Sequence, residues 1–269
     1  MRPRELTSSR NPVLKVFRRA LAEGVTRQGW LAFEGPHLLE VALDAGPVAT
    51  VHSVLVSRSA RERFPELLGR LTKETEVTQV ADRLFQQVAQ TQTPQGVAAL
   101  VELRPPDLDE ILNRRDVLLL VACGLQDPGN LGTIMRSAEA LGATAVLTLE
   151  ETVSPLNPKA VRSSAGAIFR IPVVPQLKAG ILFERLHAAR IRIVAADRRS
   201  PSPLAHADFR GPVAFLIGRE ATGLPPEISR EASLLLSIPI REGTDSVNAA
   251  TAASIFLYEA ARQRGFRYL

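Results

Sequence analysis

Apolar residues recur along the chain in short, dense runs that amphipathic stretches separate. Such continuous runs are typical of strands buried in a parallel sheet, whereas apolar residues three and four positions apart mark helices. The pattern predicts strands at residues 30–33, 51–56, 97–103, 117–122, 145–149, 191–195, 213–217 and 234–238. It predicts helices after Asn11-Pro12 and at residues 37–43, 61–71, 131–141, 181–189 and 247–264. The alternation of strand and helix predicts an α/β fold with a mostly parallel sheet covered on both faces.

The run Arg104-Pro105-Pro106-Asp107 interrupts this alternation and predicts a domain boundary. On this basis the chain has three parts. A basic N-terminal arm or helix occupies residues 1–29, a small α/β domain occupies 30–104, and a larger α/β domain occupies 107–269.

Composition supports a globular protein, because 45% of the 269 residues are hydrophobic and 23% are charged. No apolar run is long enough to span a bilayer. The single cysteine excludes a disulfide framework and a multi-cysteine zinc site, and the four histidines are scattered. Cys123 itself ends an apolar run, which favours a place in the core over a nucleophilic role. We therefore expect a cytoplasmic protein without a membrane partner.

The net charge of +5 lies entirely within the first 30 residues, where basic residues outnumber acidic ones by five. A basic segment on a neutral body suggests contact with the phosphates of a nucleic acid, although a solvated tail or a targeting peptide would have the same composition. The candidate RNA-binding residues in this segment are Arg10, Lys15, Arg18 and Arg19.

Several common catalytic signatures are missing from the sequence. It contains no G-x-G-x-x-G fingerprint, no G-x-x-x-x-G-K-[ST] phosphate loop, no H-E-x-x-H zinc motif and no G-x-S-x-G nucleophile elbow. The usual dinucleotide enzymes, P-loop enzymes, zinc proteases and serine hydrolases are therefore disfavoured.

The first of three segments with candidate chemistry, residues 127–137, follows the strand at 117–122 and opens a helix. Arg136 lies about 200° around the helix from the apolar Ile134, so it should point away from the core. Asn130 suits a helix cap or a site where an anion binds the helix start. Arg136 suits a solvated surface or an RNA contact.

The other two segments follow the strands at 213–217 and 234–238. One combines Gly218, Glu220 and Gly223, and its glycines allow backbone amides to approach a ligand or simply permit a tight connection. The other runs from Ile238-Pro239 to Ser246, a candidate N-cap, and then into an alanine-rich helix that must pack closely against backbone or ligand.

The order and spacing of these segments resemble the SpoU–TrmH branch of the SPOUT superfamily, the RNA 2′-O-ribose methyltransferases. The resemblance covers about residues 116–264, including a stretch at 158–167 that contains Arg162, a further candidate for RNA binding. Residues 30–103, with Phe33-Glu34-Gly35 near their start, resemble the family's small ribosomal-protein-like substrate-binding domain. The residues that carry the main resemblance are Asn130, Arg136, Gly218, Glu220, Gly223, Ile238, Pro239, Ser246 and Asn248.

Two positions depart from the family pattern. Arg219 stands where a small or amide residue is common, and Val247 replaces the usual leucine. The valine keeps an apolar contact. The arginine adds a charge that could touch RNA or pair with Glu220.

The resemblance implies a C-terminal trefoil knot that binds S-adenosylmethionine mainly through backbone groups, and it implies a homodimer. Fold-level rules alone would predict an unknotted, doubly wound sheet. By position, the cofactor residues would be Leu216, Gly218, Gly223, Ile238 and Val247. No metal is expected, because a methyl group moves without phosphate chemistry.

The resemblance further implies that a methyl group passes in line to a ribose 2′-hydroxyl. Because a guanidinium stays protonated at any accessible pH, we expect Arg136 to clamp an RNA phosphate and to stabilise the developing alkoxide rather than to act as a base. The catalytic set would be completed by groups that orient substrate and cofactor, namely Asn130, Glu220, Ser246 and Asn248.

The preceding small domain favours 23S ribosomal RNA as the substrate. A transfer-RNA 2′-O-methyltransferase and a non-catalytic RNA-binding ribosome-assembly factor remain alternatives. A Rossmann-like enzyme acting on a small metabolite is a third, but it lacks both its glycine fingerprint and a reason for the basic arm.

Overall fold

The computed structural model describes residues 4–6 and 8–266. The strands are β1 (Arg4–Leu6), β2 (Leu31–Glu34), β3 (Ala49–Ser57), β4 (Glu76–Val80), β5 (Val97–Leu103), β6 (Leu118–Ala122), β7 (Ala145–Leu149), β8 (Val173–Leu177), β9 (Arg192–Ala196), β10 (Val213–Ile217) and β11 (Leu234–Leu236). The helices are α1 (Pro12–Glu23), α2 (Pro36–Asp44), α3 (Arg58–Arg63), α4 (Pro65–Gly69), α5 (Asp82–Gln86), α6 (Leu108–Leu112), α7 (Pro128–Ala140), α8 (Pro158–Ser163), α9 (Ala179–Ala188), α10 (Pro226–Ser229) and α11 (Ala249–Gln263). Short 3₁₀ turns occupy Gly46–Val48, Ala167–Phe169 and Leu204–His206.

The chain divides into two compact units. The first extends to Arg104 and also includes Leu156–Phe169, while the second comprises Pro105–Pro155 and the residues from Arg170 onward. The segment Leu156–Phe169 thus packs with the first unit, although it falls inside the range predicted for the larger domain, 107–269. Its Val161, Ile168 and Phe169 are buried against the first sheet, which is the physical reason for this grouping.

The first unit is a five-stranded mixed sheet between two helical layers. The strand order is β1-β4-β3-β5-β2, in which β1, β3 and β4 run parallel and β5 is antiparallel to both of its neighbours. Apolar residues of α2, α3 and α8 pack on one face of the sheet, and those of α1 and α5 pack on the other.

Helix α1 belongs to this core and is not a free arm. Its apolar face, Leu14, Phe17 and Leu21, is buried, while its basic residues are exposed. Asn11 caps the helix by accepting from the Val13 amide, and Gly24 ends it with φ of 90°. A side chain at Gly24 would lie 2.1 Å from the Leu156 carbonyl oxygen, so this stop needs glycine both for its backbone angle and for space.

The second unit is a six-stranded, fully parallel sheet in the order β11-β9-β10-β6-β7-β8. Helices α6, α9 and α10 bury apolar residues on one face. Helices α7 and α11 lie together on the other side, where Phe256 of α11 packs edge-on against Phe215 of β10. The predicted α/β class and mostly parallel sheet are confirmed. The path of the chain through a trefoil knot stays a prediction.

The structure corrects several predicted elements. The helix expected at 61–71 is two short helices, because Pro65 lacks an amide donor and shifts Phe64 to φ −123° and ψ 48°, outside the helical region. Strands β1, β4 and β8 and the short helices α5, α6, α8 and α10 were not predicted, since each is short or mixes polar with apolar residues. The long C-terminal helix begins at Ala249 rather than at residue 247.

Candidate active site

The carboxyl ends of β6 and β10 lie side by side in the second sheet. From β6 the chain continues to β7 on one side, and from β10 it continues to β11 on the other side. In open parallel sheets, ligands bind outside the carboxyl ends of two neighbouring strands whose connections leave in opposite directions. The chain that leaves these ends enters residues 127–137 and 218–224, which are two of the three segments that carried the sequence resemblance.

The start of α7 is capped by Asp127 and not by Asn130. The Asp127 carboxylate accepts from the amides of Gly129 at 2.5 Å and Asn130 at 3.0 Å, and Pro128 occupies the first helical turn. The capping interpretation of Asn130 is therefore wrong, and its side chain is free for other partners. The Asp127-Pro128 pair is the same signal as Asn11-Pro12, and it would have identified the cap from sequence.

Asn130 joins the three segments through side-chain hydrogen bonds. Its Nδ2 donates to Glu220 Oε1 at 2.9 Å, and its Oδ1 accepts from Asn248 Nδ2 at 2.9 Å. Residues 90 and 118 positions apart in sequence thus meet at one amide. We call this chain of contacts, Glu220–Asn130–Asn248, the amide relay.

Asn248 also caps α11, because its Oδ1 accepts from the amides of Ala250 at 2.8 Å and Thr251 at 3.3 Å. Together with the hydrogen bond to Asn130, these contacts fix both ends of the Asn248 amide, since its oxygen faces the helix and its nitrogen faces Asn130. The expectation that Ser246 caps this helix is therefore wrong. Ser246 is exposed, two residues before the cap.

The hydrogen bonds of the relay favour the charged form of its carboxyl end. Partial burial by itself raises the pKa of the Glu220 carboxyl, but hydrogen bonds to the Asn130 side chain and to the backbone amides of Glu220, Asp127 and Gln126 outweigh it and lower that pKa below its ordinary value. Glu220 is therefore a carboxylate at neutral pH, and its charge orients the Asn130 amide with nitrogen toward Glu220 and oxygen toward Asn248.

Arg136 lies on α7, about 9 Å along the axis from Asn130. Its side chain is exposed and makes no hydrogen bond or ion pair with the described residues. The next residue, Ser137, accepts a hydrogen bond from Ser254 Oγ of α11 at 2.8 Å, so the helix is held against its neighbour while the guanidinium stays free. The predicted outward direction of Arg136 is confirmed.

The loop after β10 is a tight turn with strict space requirements. Arg219 and Gly223 exchange two backbone hydrogen bonds of 3.0 Å each, and Gly223 has φ of 70°. A side chain at Gly218 would lie 2.3 Å from the carbonyl carbon of Gly223. Both glycines are therefore needed for the turn itself.

Arg219 turns away from the relay. Its Nη2 donates to the Glu151 carboxylate, and its stem fills the space beside Gly124. Of the two alternatives for Arg219, contact with RNA or pairing with Glu220, the second is wrong, because the guanidinium pairs with Glu151 instead. Gly124 has φ of 75°, and a side chain there would lie 2.7 Å from Arg219 Nε.

The loops after β10 and β11 have unused backbone donors suited to a cofactor. Gly218 is buried and Ile238 and Val247 are half-buried, yet the amides of all three donate to no acceptor within the described residues. Buried amides require a partner. Free amides beside half-buried aliphatic side chains fit S-adenosylmethionine, whose adenine has polar edges and apolar faces. Leu216, by contrast, is wholly buried in the sheet core and can offer a ligand only its backbone.

The predicted RNA-binding residues all lie in the first unit. Arg10, Lys15 and Arg162 are exposed, and Arg19 pairs with Glu23 at 2.8 Å. Arg18 donates from Nε to the Gln87 carbonyl oxygen at 3.1 Å. These residues lie on or next to α1 and α8, and none of them lies in the unit that holds the relay.

Three other observations limit the chemistry. Cys123 is buried, and burial raises the pKa of its thiol, which fits a core residue and not a nucleophile. Among residues 4–6 and 8–266, no group of three or more histidine, cysteine or acidic residues could hold a metal ion. No helix in the described chain has both the length and the apolar character that crossing a membrane requires.

Two family matches cover most of the chain. Residues 117–258 match the SpoU rRNA methylase family, and residues 33–106 match the RNA 2′-O ribose methyltransferase substrate binding domain. The first match contains the whole amide relay and Arg136, and the second contains most of the first sheet.

Known proteins show the same relationship. A 23S rRNA (uridine(2479)-2′-O)-methyltransferase of Streptomyces viridochromogenes is 33% identical over 89% of this chain and 85% of its own length. The crystal structure of the SpoU methyltransferase AviRb from the same organism, in complex with AdoMet, has 32% identity and a TM-score of 0.84, covering 95% of this chain and 100% of that one.

A shorter structure, concerned with 2-OH methylation of C/U34 on tRNA, has 28% identity and a TM-score of 0.51. It covers 59% of this chain but 98% of its own. Together, the two family matches, the full-length relatives and the parallel sheet with its relay show that the chain belongs to the SpoU rRNA methylase family and is an S-adenosylmethionine-dependent RNA 2′-O-ribose methyltransferase.

Proposed function

We propose that this protein methylates a ribose 2′-hydroxyl of 23S ribosomal RNA, and that the amide relay with the free Arg136 guanidinium forms its catalytic centre. The observation that carries the proposal is the relay itself, since three segments distant in sequence converge through two 2.9 Å side-chain hydrogen bonds. Such convergence of polar side chains, on a helix that also carries the unpaired Arg136, serves a substrate better than it serves stability.

The substrate class follows from the first unit. The full-length relative named above acts on 23S rRNA and shares both units, whereas the structure concerned with tRNA spans 59% of this chain. That shorter structure cannot match both units in full, because it covers only 59% of this chain. Large ribosomal RNA is therefore favoured over transfer RNA.

Arg136 acts on the reacting oxygen. The 2′-oxygen gains negative charge as its proton is lost, and a guanidinium donates hydrogen bonds to that charge without giving up a proton of its own. The free guanidinium of Arg136 can also donate two parallel hydrogen bonds to the oxygens of an adjacent phosphate. One residue would thus position the nucleotide and stabilise the alkoxide.

The other proposed catalytic residues hold the substrate in place. Glu220 fixes the Asn130 amide, and Asn130 with Asn248 offers the remaining donors and acceptors to the ribose. Ser246, exposed two residues before the α11 cap, would offer its hydroxyl to the ribose as well. Correct positioning alone can contribute about 7–11 kcal/mol to a reaction of this type.

The cofactor residues follow the free backbone donors. Gly218, Ile238 and Val247 would bind S-adenosylmethionine through their amides, and the aliphatic side chains of Ile238 and Val247 would cover the adenine. Gly223 shapes the turn that places Gly218, and Leu216 anchors the strand below it. The bound cofactor supplies an electrophilic methyl group on a sulfonium.

We further propose that the protein is a cytoplasmic homodimer, as its family resemblance implies. Arg10, Lys15, Arg18, Arg19 and Arg162 would contact RNA phosphates from the first unit. Size-exclusion chromatography with light scattering tests the dimer, and a mass of 29.2 kDa in solution would rule it out.

The test of function is methyl transfer from labelled S-adenosylmethionine to unmodified 23S rRNA and to transfer RNA, followed by nucleoside analysis. We expect one 2′-O-methylated nucleoside, derived from 23S rRNA. Label on transfer RNA alone would support the transfer-RNA alternative. Tight binding of ribosomal RNA without label would support the non-catalytic assembly factor.

A further inference from the structure

The first unit contains an unusual concentration of amide side chains. Five of the ten glutamines of the chain fall within residues 86–95, which we call the glutamine segment, and no charged residue occurs from 84 to 101. All five side chains are exposed. Among the described residues, only Gln90 uses its amide, donating to the Val88 carbonyl at 3.4 Å. The five residues are Gln86, Gln87, Gln90, Gln92 and Gln95.

The backbone of this segment is fixed by a half-buried carboxylate. Glu34, the last residue of β2, accepts from the Gln90 amide at 2.5 Å through Oε1 and from Thr91 Oγ1 at 2.8 Å through Oε2. Both carboxylate oxygens thus bind one short stretch of loop. This use of the charge gives Glu34, part of the Phe33-Glu34-Gly35 motif, a role as a positioning residue.

Two arginines fix the ends of the segment. Arg18 of α1 donates from Nε to the Gln87 carbonyl oxygen at 3.1 Å, and Arg63 of α3 donates from Nη2 to the Gln95 carbonyl oxygen at 2.8 Å. Each contact uses one nitrogen of a guanidinium that has five N–H donors. Each guanidinium keeps further N–H donors, so a positive charge lies at either end of an uncharged stretch.

Gly96 locks the segment onto the sheet. It has φ of 82°, its carbonyl accepts from the Ser57 amide at 2.8 Å, and a side chain there would lie 2.4 Å from Ser57 Oγ. The backbone therefore cannot shift at this point without breaking its hydrogen bond to β3. The segment combines a fixed backbone with side chains that have almost no protein partner among the described residues.

An amide side chain offers a donor and an acceptor together, as the edges of nucleobases do. Sequence-dependent recognition of RNA takes place mainly on unpaired nucleotides, whose base edges are accessible, whereas arginine contacts to phosphate fix the position of the strand. The glutamine segment with an arginine at each end provides both kinds of contact.

We propose that the glutamine segment reads unpaired bases of the RNA substrate through its side-chain amides, with Arg18 and Arg63 contacting the flanking phosphates. This inference rests on the proposed function only in taking RNA as the ligand. It assigns substrate selection to a loop of the first unit and gives Glu34 the task of holding that loop in shape.

The test compares Gln92→Ala/Gln95→Ala with Gln28→Ala, which removes an exposed glutamine from another turn of the same unit. RNA affinity is measured by anisotropy on a labelled 23S rRNA fragment, independently of methyl transfer. We expect the double variant to bind about tenfold more weakly or worse, with KM for RNA raised in proportion, kcat and cofactor affinity kept, and the control unchanged. Because amides carry no charge, the salt dependence of binding should stay the same.

Equal RNA affinity of the double variant and wild type would overturn the proposal, and so would a loss confined to kcat. If wild type bound RNA but transferred no methyl group, the proposed function would fail, yet a weakened double variant would still support base reading.

A second pair of variants tests the positioning role of Glu34. Glu34→Ala should weaken RNA binding several-fold and speed amide exchange at Gln90, whose amide donates to this carboxylate, and Glu34→Gln, which keeps one acceptor oxygen, should restore part of both. Faster exchange with unchanged affinity would refute that role.

Discussion

The two units place their polar side chains in opposite ways. In the second unit, Glu220, Asn130 and Asn248 bind one another, so the side chains are fixed before any substrate arrives. In the glutamine segment of the first unit, the backbone is fixed by Glu34, and the side chains remain almost wholly unbound. The two arrangements therefore immobilise different parts of the chain.

This difference fits the two tasks that we propose, methyl transfer for the relay and base recognition for the glutamine segment. Transfer of a group requires reacting atoms to be held within fractions of an ångström, and a site fixed in advance avoids the cost of ordering it during the reaction. Recognition of a base requires side-chain donors and acceptors that can adjust to the base edge, provided that the backbone that carries them is fixed. A variant that loosens the relay should therefore reduce kcat, whereas a variant of the glutamine segment should raise KM for RNA.

The largest effect is expected from Arg136→Ala, which removes the proposed alkoxide-stabilising group and leaves the relay intact. Methyl transfer should fall by about 10²–10³-fold or below detection, as when one oxyanion donor is removed, with cofactor affinity within a few-fold of wild type. Single-turnover transfer and calorimetric titration of cofactor measure the two quantities. Arg198→Ala, an exposed arginine elsewhere in the same unit, is the matched control. Retained turnover in Arg136→Ala would remove this residue from the mechanism.

The next effect separates the two tasks of Asn248. Asn248→Ala removes both the α11 cap and the donor to Asn130, so it should lower activity and cost about 0.5–2 kcal/mol of stability. Asn248→Asp keeps a capping oxygen but not the donor, so we expect near-normal thermal stability with activity still about tenfold or more below wild type. Thermal unfolding and kcat are measured on both variants. If Asn248→Asp were fully active, the hydrogen bond from Asn248 to Asn130 would have no role in transfer.

Strands buried on both faces were predictable, because they are continuous apolar runs. The predicted bounds 97–103, 145–149 and 213–217 are those of β5, β7 and β10. Strand β8 was missed because it lies at the edge of its sheet, where Pro175 and Gln176 are tolerated. Strand β4 was missed because its alternating sequence carries too few apolar residues to be distinguished from a loop.

The members of the site were predictable only through the family resemblance, and their hydrogen bonds to one another were not predictable at all. Nothing local links Asn130 to Glu220 or Asn248, since their pairing depends on three loops meeting at the end of one sheet. Capping propensity alone also indicates the wrong residues as helix N-caps. Asn130 and Ser246 are good capping residues, but Asp127 and Asn248 stand at the actual helix starts. A capping propensity identifies a residue type, whereas the helix boundary decides which residue uses it.

A smaller effect should come from the basic face of α1. Truncating residues 1–22 would remove Leu14, Phe17 and Leu21 from the core, so charge neutralisation is the better test. Arg10→Gln, Lys15→Gln and Arg19→Gln together should weaken RNA binding and reduce the slope of log affinity against log salt by about 0.7 for each phosphate that the protein no longer neutralises. Arg114→Gln with Arg115→Gln, exposed in the second unit, is the control. An unchanged slope would mean that α1 only supports the fold.

The smallest expected effect is the pH dependence of the relay. Because hydrogen bonds lower the folded-state pKa of Glu220, its carboxylate stabilises the protein at neutral pH, and this contribution disappears as the pH falls from the ordinary glutamate value, about 4.3, through the lowered pKa. The Tm of wild type should exceed that of Glu220→Gln by at most about 2–4 °C at neutral pH, and the difference should shrink toward acid. The control is Glu227→Gln, which changes an exposed carboxylate of α10 that has no side-chain hydrogen bond among the described residues. A difference that grows toward acid would require a raised pKa, and Glu220 would then be held by its surroundings as a neutral acid rather than as the charged end of the relay.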